Sequence, residues 1–227
     1  MYKVLMLCLI SGLGLFFSAG AAFGRGSDNT VMAVSSKTMK QPAAVIGRAS
    51  RDFIEALKRH NPQLKKNPGE VRRLVYKYIL PHFDLKFASR LILGHYWGTA
   101  TPGQRKDFAR AFINHLIAVY KKGIVSYRKD RVQVLPLQGG TNRQFISVGT
   151  LVHIPDHDSV SVDYAMHKVG GRWKIFDVKV MEISFVLTYR NEYQAEIRRT
   201  SLPALIRHLQ KSQLPKKMAA IMPSSGN

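Results

Sequence analysis

The chain predicts an α+β fold in which helices come first, a four-stranded antiparallel meander follows, and helices return at the end. Three observations carry this. Apolar residues recur at helical spacing up to about Tyr120, switch to a spacing of two between Val132 and Val180, and return to helical spacing from Val186. A twisted sheet with one apolar face has to be covered, and the flanking N- and C-terminal helices are the only cover this chain offers.

The first helix is expected over Ala43 to His60, where Val45, Ala49, Phe53, Ala56 and Leu57 share a face and Asn61-Pro62 gives a stop. A second starts with Asn67 as cap and Pro68 as first residue, and presents Leu74, Val75, Tyr78 and Ile79. The stretch from Ile79 to Trp97 is too irregular for one amphipathic helix and too apolar for an exposed loop. It is expected to line something. Thr101, Pro102 and Gln104 form a helix start in which Thr101 caps the first turn and Gln104 completes a capping box. The helix that follows carries Phe108, Ala111, Phe112, His115, Leu116, Val119 and Tyr120 along one stripe.

Strands are expected around Val132 and Val134, from Ile146 to Ile154, from Val160 to Met166, and at Phe176, Val178 and Val180. Turns are placed at Gln138 to Asn142, at Pro155 to Asp158, and at the tight Gly170-Gly171 tip. Val186, Tyr189, Tyr193 and Ile197 then mark one helix, and Leu202 to Leu209 another.

Four segments organise the chain: residues 1–22 as a signal peptide, 23–42 as a flexible leader, 43–211 as one domain and 212–227 as a disordered tail. Lys3 precedes the apolar run Val4 to Phe17, and small residues from Ser18 to Ala22 invite cleavage near Ala21 or Ala22. That run falls short of the roughly 20 residues a membrane-spanning helix needs. The expected location is therefore outside the cytoplasm. Cys8, the one cysteine, lies within the run, so the processed protein has no disulfide to rely on.

Lys and Arg number 35 against 14 Asp and Glu, a formal net charge of +21. The positive residues are spread along the chain instead of forming one arm. For an exported protein that distribution suits anionic membrane surfaces better than nucleic acid.

Three clustered motifs give the chain a family likeness. Leu80, Pro81 and Phe83 with Asp84 come first, then Leu93, Gly94, Tyr96 and Trp97, then Ala100, Thr101, Pro102, Gln104 and Arg105. Asp177, Val178, Ser184, Tyr189, Arg190, Glu192 and Tyr193 add a C-terminal signature. Together they resemble the MlaC family of toluene-tolerance-type periplasmic phospholipid carriers, over roughly Ala43 to Lys211. The chain departs from the family pattern at Glu182, where a glycine is usual, and at Thr200 and Ser201, followed by Pro203, in place of a late Gly-Gly turn.

The resemblance implies a curved, NTF2-like sheet enclosing an apolar cavity, in the periplasm, with bound phospholipid as cargo and no other cofactor. Its implied partners are an outer-membrane lipoprotein complex and an inner-membrane MCE-domain complex driven by an ABC transporter. Candidate lining residues on the apolar faces are Leu74, Tyr78, Phe83, Leu93, Tyr96, Trp97, Phe112, Leu116, Val148, Val162, Tyr164, Phe176, Val178 and Tyr189. Their periodicity equally fits a closed core; the resemblance is what points to a hollow.

Signs of catalysis are sparse. The sequence has no Gly-x-Ser-x-Gly elbow, no His-Glu-x-x-His and no phosphate-binding glycine loop. His153, Asp156, His157 and Asp158 form the densest polar cluster, but they sit at an expected hairpin tip, where an exposed turn accounts for them without a metal. His82, His95 and His115 have apolar neighbours and are expected to be hydrogen-bonded structural residues. Strand parity turns Asp163 away from Val162 and Tyr164. The expectation is a carrier and no enzyme; the alternatives are an NTF2-like small-molecule enzyme using His95 or His153 as base, and a basic polyanion binder.

Overall fold

In a computed structural model, residues 36–126, 131–135, 144–153 and 159–211 are described. The segments expected as signal peptide and tail, the turns expected at Gln138 to Asn142 and Pro155 to Asp158, and the cluster from Asp156 to Asp158 lie outside them. Helix α1 spans Ser36–Lys66 and α2 spans Pro68–Leu74. One π turn, Val75–Ile79, and one 3-10 turn, Leu80–His82, lead to α3, Leu85–Leu93, and to the short α4, Tyr96–Thr99. Helix α5, Pro102–Ser126, precedes the sheet. Its strands are β1 Arg131–Val134, β2 Phe145–His153, β3 Val160–Val169, β4 Arg172–Val180 and β5 Ile183–Ser184. Helices α6, Phe185–Arg199, and α7, Leu202–Gln210, close the described chain.

The sheet is antiparallel in the order β1-β2-β3-β4-β5. The meander is the expected one, with a fifth strand of two residues added at its edge. Two caps behave as their residues require. Gly69 N–H donates to Asn67 Oδ1 at 2.9 Å, Gln104 N–H donates to Thr101 Oγ1 at 3.2 Å, and Thr101 N–H donates back to Gln104 Oε1 at 2.9 Å. Gly170 and Gly171, both at positive φ, turn β3 into β4.

Helix α1 is longer than expected at both ends. It begins at Ser36, inside the stretch expected as leader, and passes through Pro62 to Lys66. Pro42 and Leu64 are both buried, so the apolar stripe of Phe53, Ala56 and Leu57 gains a turn beyond the proline. Packing there outweighs the local preference to stop.

A second difference lies in β4. The register slips by one residue between Ala165 and Met166, which pair with Asp177 and Ile175 respectively. The extra residue is Phe176. Trp173 and Ile175 are buried before the bulge, and Val178 and Val180 after it. Phe176 is therefore the unpaired residue that interrupts strict alternation between Ile175 and Val178.

Phe83 forms a parallel bridge to Ile175, and Asp84 N–H donates to the Ile175 carbonyl at 2.8 Å. These contacts seat the start of α3 against β4.

Candidate functional site

Between the π turn, α3, α5 and the β4–α6 junction lies a cleft of about 870 Å3, its open mouth included. Val75 and Ile79, one wide turn apart, form its first wall with Leu80 and Phe83, and Leu85, Ala88 and Ile92 supply the α3 side. Helix α5 contributes Phe112, Ile113, Leu116, Ile117 and Tyr120, and the sheet edge contributes Phe176, Asp177, Val178, Phe185 and Val186. The walls are almost wholly apolar.

Asp177 is the exception, and its charge is already engaged. Its Oδ1 accepts from Val178 N–H at 2.8 Å and Val186 N–H at 3.0 Å, while its Oδ2 accepts from Ser184 Oγ at 2.5 Å. A buried carboxylate with three donors, set at the positive end of α6, is a structural anchor. Ser184 in turn accepts from Leu187 N–H at 3.0 Å and so caps the same helix.

Behind the cleft runs an aromatic ladder. Phe112 meets Tyr189 edge-on at 5.0 Å and Tyr193 at 6.0 Å, Phe108 stacks parallel to Phe112 at 5.9 Å, and Tyr189 lies 5.2 Å from Tyr193. Burial pushes both tyrosine hydroxyls up, although a hydrogen bond with Tyr120 pulls Tyr189 the other way. These rings stiffen the α5–α6 wall.

Of the sequence-derived lining residues, Phe83, Phe112, Leu116, Phe176 and Val178 face the cleft. Leu74, Leu93, Val148, Val162, Tyr164 and Tyr189 are buried in the core around it. Tyr78, Tyr96 and Trp97 are partly buried against that core. Trp97 has its own role: Arg105 stacks 5.0 Å above its ring and donates from Nε to the Trp97 carbonyl at 3.0 Å, which fastens α4 to α5. Sequence reasoning missed Ile113 and Ile117, although their i, i+4 spacing beside Phe112 and Leu116 was readable. It also missed Ala88 and Ile92, because α3 was not recognised as a helix.

The histidines fall into different roles. His115 is fully buried, and neither ring nitrogen has a hydrogen-bond partner among the described residues. That corrects the expectation of a hydrogen-bonded histidine. Burial first, and then His208, lower its pKa to about 4. His82 is half-buried and shifted down by burial and then by Lys174, whose Nζ donates to the Pro81 carbonyl. His95 is exposed and rests 3.9 Å from the Tyr96 ring. The side chain of His153 lies outside the described residues. Asp163 lies opposite Gly149 and Lys179 in the register, on the face away from Val162 and Tyr164, and its carboxyl is raised by burial and then by Glu182.

The described walls of the cleft are apolar except for Asp177, whose carboxylate oxygens are engaged, and Tyr120. The sequence profile of the MlaC protein family matches residues 47–211. The chain belongs to the MlaC family. The intermembrane phospholipid transport system binding protein MlaC of Haemophilus influenzae is 19% identical over 174 residues, 75% of this chain and 81% of that protein. Toluene tolerance protein ttg2D of Pseudomonas putida is 24% identical over 159 residues, 70% of this chain and 74% of that protein. A phospholipid-binding protein from Ralstonia solanacearum, solved in complex with a phospholipid, superposes with a TM-score of 0.70 at 25% identity, over 76% of this chain and 96% of its own. The matched span takes in every wall of the cleft.

Proposed function

We propose that this protein is a periplasmic phospholipid-binding shuttle that carries glycerophospholipid between the outer and inner membranes. The observation that carries the reading is the open, apolar-walled cleft, placed in a fold whose structural relative holds a phospholipid. Burying acyl chain yields about 0.8 kcal/mol per CH2, so one chain of about fourteen methylenes gains on the order of 11 kcal/mol in a dry cleft. The head group, which gains nothing from such walls, stays at the mouth.

The carrier breaks no covalent bond. It exchanges lipid with an outer-membrane lipoprotein complex and an inner-membrane MCE-domain complex powered by an ABC transporter, and its positive charge favours transient contact with anionic membrane surfaces. Export rests on the N-terminal pattern from Lys3 to Ala22. The bound phospholipid is the cargo, with no other cofactor. Among the described residues no helix is long and apolar enough to cross a membrane.

Lipid mass spectrometry on the purified, denatured protein tests the reading. Diacyl glycerophospholipid in stoichiometric amount is expected. A protein that carries none, even after incubation with vesicles, contradicts it.

A further inference from the structure

At the end of the sheet where β2 begins and β3 turns into β4, an aromatic cluster reaches the surface. Phe145 pairs with His167 and His167 with Lys174, so the three share a face; Val169 and Arg172 pair one step further out. Phe87 of α3 stacks on His167 at 4.5 Å, and Phe176 stands edge-on to Phe87 at 5.2 Å, to His167 at 5.3 Å and to Phe145 at 5.9 Å. Phe145 is 48% exposed and Val169 42%. A half-exposed phenyl ring at the head of a strand is costly unless something covers it.

The charge around this cluster has one sign. Lys86 and Arg172 are exposed, and Lys174 stands half-buried on the same sheet face as Arg172. Asp84 is the local carboxylate, and it is committed: Oδ2 meets His167 Nε2 at 3.1 Å and Oδ1 accepts from Phe87 N–H at 2.9 Å. The other exposed apolar group, Met181, Ile183 and Leu187, differs in this respect, because Glu182 and Asp163 lie beside it. Apolar rings within a cationic rim match a bilayer of anionic lipid, where the rings reach the acyl boundary and the cations meet head groups.

We propose that the face formed by Phe145, Phe87 and Val169 within the rim of Lys86, Arg172 and Lys174 is the surface by which this protein settles on an anionic bilayer. The inference rests on the shuttle reading and adds where the membrane is met. Phe176 gives the placement its consequence, because the same ring is packed against the docking cluster and lines the cleft. A bilayer on this face touches the cleft wall through one side chain. Lipid then has a short path between membrane and cleft.

The test uses vesicles of phosphatidylcholine, alone or with about a quarter phosphatidylglycerol, and the full mature chain. Sedimentation is expected to show binding to the anionic vesicles only, weakened in about 0.5 M salt. Lys86→Glu with Arg172→Glu changes two exposed charges outside the cleft, so the variant keeps its fold. Its vesicle binding is expected to fall at least about tenfold. In Phe145→Trp, brominated phosphatidylglycerol is expected to quench more fluorescence than the Trp97 and Trp173 background of the parent. Equal vesicle binding by the double variant, or no added quenching at position 145, overturns the proposal. A parent protein that docks by this face but carries no diacyl lipid contradicts the shuttle reading alone.

Discussion

Ser184 donates its hydroxyl to Asp177 across 2.5 Å, and that one contact joins β4 to the first turn of α6 at the wall of the cleft. Between the two residues the chain turns through two left-handed positions, Met181 at φ 48° and Glu182 at φ 64°. Val178 and Val186, the neighbours whose N–H groups share the same carboxylate, are both cleft residues. The C-terminal signature of the sequence is thus the hinge that sets one side of the site.

Asp177→Ala leaves two buried N–H groups and one hydroxyl without an acceptor. The expected loss is about 2–4 kcal/mol of unfolding free energy in a urea titration. Ser184→Ala removes one hydrogen bond and one cap, with an expected loss of about 1–2 kcal/mol. A loss below about 0.5 kcal/mol in Asp177→Ala contradicts the anchoring role.

Glu182 occupies a left-handed position that a residue with a Cβ adopts at a cost of about 1–2 kcal/mol. Glu182→Gly relieves it and gives up some unfolded-state stiffness in exchange. A net gain of about 0.5–1 kcal/mol is expected, or a melting temperature raised by about 2–3 °C. An unchanged or lowered melting temperature shows that the turn is not strained.

His115 makes stability depend on pH. Its folded pKa of about 4 lies below the ordinary 6.5, so between those values the unfolded chain binds the extra proton. Stability is complete above about pH 6.5 and is lost as pH falls toward 4, by on the order of 3 kcal/mol. His208 on α7, paired with Glu196 at 2.8 Å, is the neighbour that adds to burial in opposing protonation. His115→Leu is expected to remove most of this slope and to raise stability at pH 7 by about 1 kcal/mol, since no hydrogen bond is lost. His82, shifted in the same direction, leaves a residual slope. Urea titrations at pH 4.5 and 7 check both statements.

The cleft and the core separate by what a large side chain does to each. Leu116→Trp projects into the open space, and is expected to abolish lipid loading while unfolding free energy stays within about 1 kcal/mol of the parent. Val148→Trp enters a fully buried position and is expected to lose about 2–3 kcal/mol. Full loading in Leu116→Trp shows that the acyl chain lies elsewhere.

Local chemistry made much of this fold legible. Thr101 with Gln104, Asn67 with Pro68, and the Gly170-Gly171 tip each satisfy backbone groups within a few residues, so their signals survive in the sequence. The late departure also resolves locally, because Ser201 accepts from Ala204 N–H at 3.3 Å and caps α7 without a glycine. The extra residue at Phe176 left no such mark, since a bulge is set by pairing with a distant strand. Depth was hidden for the same reason. Val162 and Val178 alternate alike along their strands, yet one is enclosed in core and the other faces the cleft. The expected helix stop at Asn61 failed because burial of Leu64 is a tertiary gain that spacing alone does not weigh.

The central claim is that phospholipid acyl chain lies between α3, α5 and the β4–α6 junction. A phospholipid carrying a photoreactive diazirine near the end of its acyl chain, loaded from vesicles and irradiated, tests it most directly. Adducts are expected in the peptide holding Ile113, Leu116, Ile117 and Tyr120 and in the one holding Val178 to Val186. Adducts confined to other parts of the chain, or loaded lipid that labels neither peptide, contradict the account.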